Sequence, residues 1–111
     1  EVSAVLAPGH DAVSTVAAAF PPGSVTGAPK VRAMAVIHAL EPTPRGVYTG
    51  TIVWFADGGG AHLNVAIRTA TVIDGMARFH VGAGIVAESQ PNLEWLETLA
   101  KADALSRCLN S

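Results

Sequence analysis

The sequence predicts an α+β domain in which two helices, a three-stranded antiparallel meander and a C-terminal helix follow one another. Three observations predict it. Apolar residues recur at helical spacing over 29–40 and again over 92–109. Runs rich in β-branched and aromatic residues occupy 47–56, 62–73 and 76–81. Between those runs lie Asp57-Gly58-Gly59-Gly60, a turn signal, and Asp74-Gly75, a strong two-residue hairpin signal.

The first helix is expected over 11–20 and is stopped by Pro21-Pro22. The stretch Gly23-Ser24-Val25-Thr26-Gly27-Ala28-Pro29-Lys30 comes next, with Pro29 tolerated in the first turn of the second helix. Its glycines permit backbone angles that a β-carbon forbids. The loop would set free N–H groups, Ser24, Thr26 and Lys30 around a helix N-terminus, an arrangement that favours a carboxylate. The same composition also fits a plain connection, and the spacing is not that of a phosphate-gripping P-loop. Val31, Met34, Val36, Ile37 and Leu40 form the apolar side of the second helix, which Glu41-Pro42-Thr43-Pro44 ends. The meander leaves through Gly82-Ala83-Gly84, and Ser89-Gln90-Pro91 introduces the last helix.

With 111 residues the chain makes a single domain, 1–111, or part of one. Half of the residues are hydrophobic and 14% are charged, against about 25% charged in an ordinary globular domain. That shortfall implies apolar surface meant to be covered, by a partner, by a second copy through self-association, or by more of the same polypeptide. The opening on Glu1 fits a fragment whose upstream part is absent. A net charge of −2 and the lack of a basic stripe argue against nucleic acid. No apolar run reaches membrane-spanning length, and the start lacks a signal-peptide pattern. The lone Cys108 cannot make an internal disulfide, so a cytoplasmic location is expected.

Candidate chemistry lies in a few places. On the last helix Glu94, Glu97 and Lys101 fall within an arc of about 60°. Leu93, Ala100 and Ala104 flank this stripe on one side, with Thr98, Leu105 and Leu109 on the other. Two carboxylates at i, i+3 can approach one Mg²⁺, while Glu97 and Lys101 also have the spacing of an ordinary stabilising pair. On the second strand, alternation places Arg68 on one face with Asn64, Ala66 and Ala70. A guanidinium among small side chains has room for a bidentate carboxylate, or for an ion pair across the strands. Tyr48, sharing a face with Gly50, reads as a packed aromatic or as a ligand contact. Gly82 and Gly84 can turn backbone N–H groups toward an anion, or serve only the turn. His10, His38, His62 and His80 have no zinc-ligand spacing and read as incidental.

These residues together resemble the C-terminal portion of the chorismate-utilising enzymes, the family that includes anthranilate synthase, aminodeoxychorismate synthase, isochorismate synthase and salicylate synthase. The likeness runs through Phe20-Pro21-Pro22-Gly23-Ser24-Val25-Thr26-Gly27-Ala28-Pro29-Lys30-Val31-Arg32-Ala33-Met34, Leu40-Glu41-Pro42 and Arg45-Gly46-Val47-Tyr48-Thr49-Gly50. It continues in Leu63-Asn64-Val65-Ala66-Ile67-Arg68-Thr69, Gly82-Ala83-Gly84-Ile85-Val86-Ala87-Glu88-Ser89 and Glu94-Trp95-Leu96-Glu97-Thr98. The resemblance implies that Tyr48 and Arg68 grip a carboxylate of chorismate, and that Gly82 and Gly84 cradle another through their backbone. It further implies that Ser24 faces the substrate, Glu94 and Glu97 hold Mg²⁺, and Lys101 lies near the bound carboxylates.

The likeness also has departures. Ala35, His38 and Ala39 stand where the family carries acidic residues, and Val53 and Ala61 replace a common glycine and a usual turn residue, none at an expected ligand position. The resemblance leans toward aminodeoxychorismate synthase component I, which aminates C4 of chorismate with ammonia from a glutamine amidotransferase partner on the way to folate. Anthranilate synthase component I, which aminates C2 and eliminates pyruvate, is the alternative, and a non-catalytic binding or assembly module is a reading of another class. The family's remaining metal glutamate, its lysine and its histidine lie upstream of Glu1, so no catalytic residue is expected within the chain. The 111-residue chain alone is therefore expected to show no turnover when mixed with chorismate, Mg²⁺ and ammonia. Measurable loss of chorismate absorbance in that mixture would contradict it.

Overall fold

The computed structural model describes residues 2–109. Its elements are α1 (Ala12–Ala19), α2 (Gly23–Thr26), α3 (Lys30–Leu40), β1 (Thr51–Phe55), β2 (Ala61–Val65), β3 (Ala70–Ile73), β4 (Met76–Phe79) and α4 (Pro91–Leu109). Helix and strand are segregated as an α+β order requires.

Each helix begins and ends for a local reason. Asp11 caps α1 in a capping box: Ser14 N–H donates to Asp11 Oδ1 at 2.8 Å, and Asp11 N–H donates to Ser14 Oγ at 2.9 Å. Pro21, following the C-cap Phe20, cannot continue the helix. The loop expected over 23–30 is a single helical turn, α2, closed when Gly27 N–H donates to Gly23 O at 2.8 Å. Gly27 has φ 107, where an L side chain is strained, and a Cβ there would stand 3.2 Å from Ala33 Cβ. Pro29 is the N-cap of α3 rather than its first helical residue, and Pro42 follows the C-cap Glu41.

The three-stranded meander is replaced by two separate two-stranded sheets. β1 pairs antiparallel with β2 from Thr51↔Val65 to Phe55↔Ala61, and β3 with β4 from Ala70↔Phe79 to Ile73↔Met76. The long second strand expected over 62–73 breaks because the chain turns sharply after Val65. Ile67 N–H donates back to Val65 O at 2.9 Å, and Arg68 sits at φ 51, in the left-handed region. Two residues on, Thr69 Oγ1 donates to Ile67 O at 3.0 Å and uses up a carbonyl that a ladder would need. The first strand starts later than expected, since 46–50 forms a turn in which Gly50 N–H donates to Val47 O at 2.9 Å. Asp74 at φ 52 and Gly75 at φ 74 make the two-residue hairpin turn that the Asp-Gly pair predicts.

Burial is scarce. Ala66 and Thr49 are the buried residues among those described, 1% and 7% exposed. Ile52, Trp54 and Leu63 of the β1–β2 hairpin, and Leu93, Trp95 and Leu96 of α4, remain at least half exposed. The total accessible surface is 8848 Å², where a folded monomer of 11.3 kDa exposes about 5,700 Å². The radius of gyration is 16.7 Å, against about 13 Å for a close-packed chain of this length.

Gly27→Ala places a side chain at positive φ and against Ala33. It is expected to destabilise the protein by about 1–2 kcal/mol, read as a lower urea midpoint at unchanged slope. A midpoint equal to the parent's would show that this turn tolerates a β-carbon.

Candidate functional site

The turn after α3 is organised by Arg45. Its Nε donates to Glu41 Oε2 at 2.8 Å and its Nη2 to Glu41 Oε1, a bidentate fork across four residues. Its Nη1 donates to the carbonyl of Val25 in α2 and to Thr49 Oγ1, both at 3.1 Å. The guanidinium also lies 5.7 Å from the centre of the Tyr48 ring. Those hydrogen bonds hold the Glu41 carboxyl below its ordinary value. Partial burial opposes that shift, and the charges of Arg45 and His80 add to it. The same fork, again opposed by burial, raises Arg45 above the usual guanidinium range.

Tyr48 is the next link. Its ring stacks on His80 with centroids 5.6 Å apart and planes 13° from parallel. Its hydroxyl oxygen lies so near the Gly82 backbone that a Cβ on Gly82 would stand 3.0 Å from it. A side chain at 82 would fit only if the Tyr48 hydroxyl gave way by a few tenths of an ångström. The Gly82 carbonyl in turn accepts from Lys101 Nζ at 3.0 Å, and the same ammonium pairs with Glu97 one turn back on α4. Glu94, a further turn back, has its Oε2 buried with no hydrogen-bond partner. It lines a cavity of about 350 Å³ with Ala83, Ile85, Ser89, Trp95 and Thr98.

Four of the expected residues, Tyr48, Gly82, Lys101 and Glu97, therefore form one connected chain, with Glu94 beside it. The other three stand apart from that chain. Ser24 is exposed on α2, one residue before the carbonyl that Arg45 holds. Arg68 is exposed in the left-handed turn between β2 and β3. The strand alternation that set it beside Ala66 and Ala70 therefore does not apply. Gly84 faces open space, since a Cβ there would meet nothing within 4 Å.

Two further expectations are corrected. Tyr48 belongs to the turn before β1, not to a strand. Lys30 donates to the carbonyls of Phe20 at 3.1 Å and Ala18 at 3.4 Å, so it ties down the end of α1 rather than meeting an anion at α3. Arg45, Glu41 and His80 were not legible as site residues. The opposite charges four apart at 41 and 45 were the available signal for the first two, and nothing in the sequence marks His80 as the partner of Tyr48.

For a metal, Glu94 and Glu97 would be only a partial donor set, and Glu97 Oε1 is paired with Lys101. Among the described residues no group of three or more His, Cys, Asp or Glu gathers. Mg²⁺ needs only one or two carboxylates when substrate and water complete its shell. The unsatisfied Glu94 Oε2 is a buried acceptor of the kind such an ion would satisfy. None of the described helices is long and apolar enough to cross a membrane.

A family model described as chorismate binding enzyme matches residues 1–107. Anthranilate synthase component 1 of Bacillus caldotenax is 52% identical over 97 residues, covering 87% of this chain and 19% of that protein. Aminodeoxychorismate synthase component 1 of Bacillus subtilis is 46% identical over 108 residues, 97% of this chain and 23% of that protein. The 2-amino-4-deoxychorismate synthase of Streptomyces globisporus is 48% identical over 94 residues, 85% and 19% respectively. The chain thus spans about a fifth of the length of the curated relatives it matches.

The Glu41–Arg45 fork carries a pH signature. A carboxyl held below its ordinary value of 4.5 contributes stability that is fully present above that pH. The contribution is lost as pH falls through the lower folded value. Acidification below pH 4.5 is expected to lower the thermal midpoint more steeply in the parent than in Glu41→Gln. Equal slopes in the two proteins would overturn it.

Proposed function

The chain belongs to the family of chorismate-binding enzymes, and on that premise we propose that it forms part of the catalytic domain of a Mg²⁺-dependent synthase that aminates chorismate. The observation that carries the reading is the connected set Tyr48, Gly82, Lys101 and Glu97, with the unsatisfied Glu94 beside it. One aromatic hydroxyl, one close backbone, one ammonium and two carboxylates suit a small dicarboxylate and a dication.

In this reading Tyr48 and Arg68 bind one carboxylate of chorismate. Backbone N–H groups around Gly82 and Gly84, with Lys101, receive the other. Ser24 meets the substrate from α2. Glu94 and Glu97 would hold Mg²⁺, which would supply charge complementarity for the ring carboxylate. Ammonia from a glutamine amidotransferase partner replaces the ring hydroxyl at C4, and water is the second product. The reaction is that of aminodeoxychorismate synthase component I, on the way to folate, in a cytoplasmic enzyme.

A second reading, amination at C2 with pyruvate elimination, is favoured by the 52% identity to an anthranilate synthase. The loop sequence Ser24-Val25-Thr26-Gly27 is what leans toward C4. The products separate the two. The complete polypeptide that carries this chain, given chorismate, Mg²⁺ and ammonium, is expected to release 4-amino-4-deoxychorismate, resolved by chromatography from fluorescent anthranilate. Arg68→Ala is expected to raise KM for chorismate about tenfold or more. Release of anthranilate selects the second reading, and a KM unmoved in Arg68→Ala removes Arg68 from the site.

A further inference from the structure

Arg45 has four contacts on three pieces of the chain: Glu41 at the end of α3, the Val25 carbonyl in α2, and the Thr49 hydroxyl and Tyr48 ring in the turn before β1. We propose that Arg45 is a positioning residue, which sets the Tyr48 hydroxyl against the Gly82 backbone. The proposal rests on the reading of Tyr48 as a carboxylate-binding residue given above.

The geometry favours positioning over simple bracing. The bidentate fork to Glu41 fixes the guanidinium plane, because both oxygens accept at once. Both Nη1 donors go to Val25 O and Thr49 Oγ1, and the cationic plane has the Tyr48 ring as its neighbour. Tyr48 also meets His80 by stacking, so its ring is held by two groups while its hydroxyl projects to Gly82. The ring direction and the α2 carbonyl are thus referred to one rigid side chain. A lysine offers a point charge, which can reach an oxygen but cannot reproduce the fork and the plane together.

A brace and a positioner differ in how their loss combines with loss of the Tyr48 hydroxyl. A double-mutant cycle in the complete polypeptide, assayed with chorismate, Mg²⁺ and ammonium, measures that combination. Arg45→Lys is expected to raise KM for chorismate about five- to tenfold while kcat stays within about twofold. Tyr48→Phe is expected to raise KM by itself, and Arg45→Lys added to Tyr48→Phe is expected to raise it no further. Equal fold-increases from Arg45→Lys in both backgrounds, or no increase in the Tyr48 background, overturn the positioning role and leave the substrate reading intact. A KM unmoved by Tyr48→Phe overturns both. Should Arg45→Lys not fold, Glu41→Gln, which loosens the fork but keeps the guanidinium, takes its place in the same cycle with the same outcomes.

Discussion

The backbone pairing of Thr49 and Gly50 with Ala66 is the constraint from which the rest of the site hangs. Thr49 N–H donates to Ala66 O at 2.8 Å and Ala66 N–H donates to Gly50 O at 2.9 Å, extending the β1–β2 ladder past its last strand pair into the turns on either side. These bonds lie at the place where side chains are buried, so water does not compete for them. Thr49 meets them at φ 61, a conformation that costs a β-branched residue about 1–3 kcal/mol. Its N–H bond to Ala66 and its hydroxyl bond from Arg45 offset that strain. One residue before this point stands Tyr48, and two residues after Ala66 stands Arg68. Both expected carboxylate contacts therefore spring from the same fixed crossing.

Away from that crossing the chain has little to hold it together. Its charge is low, its strands are short and unpaired on their outer edges, and its large apolar side chains stand in solvent. About 3,000 Å² more surface is exposed than a folded monomer of this mass retains. Part of that excess belongs to the extended segment before α1, where Val2 and Val5 are almost fully exposed. The rest belongs to the hairpin and the α4 face, whose Trp54 and Trp95 are each about three-fifths exposed. The site's long-range polar links, Arg45 to Val25 and Lys101 to Gly82, join segments 20 and 19 residues apart in sequence without help from a common core.

Local signals carried most of the fold. Prolines, the Asp11 cap and the Asp74-Gly75 turn act within a few residues, and each placed an element end to within one or two positions. The meander failed because the break at 66–68 is not written locally. Ala66-Ile67-Arg68-Thr69 is good strand sequence, and its turn is imposed by a partner seventeen residues earlier, the Thr49 to Ala66 bond. Tertiary pairing overrides propensity here, and with the strand broken Arg68 no longer shares a strand face with Ala66 and Ala70.

The site was legible as a set of residue types and not as a set of contacts. Periodicity alone put Glu94, Glu97 and Lys101 on one stripe of α4, because helical spacing is the same in every fold. It could not say that Lys101 reaches across nineteen residues to the Gly82 carbonyl, which is what brings α4 to Tyr48. The histidines show the limit most clearly. Metal-ligand spacing was the test applied to them, and by that test His80 is empty. Its part here is a flat ring beside a phenol, a role that depends on where β4 ends relative to a turn thirty residues earlier. Arg45 escaped for the same reason. An arginine between two prolines' reach and a glycine reads as a loop cation, until four oxygens and a ring from three other segments converge on it. What a sequence withholds is the identity of long-range partners, and the links that assemble this site, Arg45 to Val25, Tyr48 to His80 and Gly82, and Lys101 to Gly82, are of that kind.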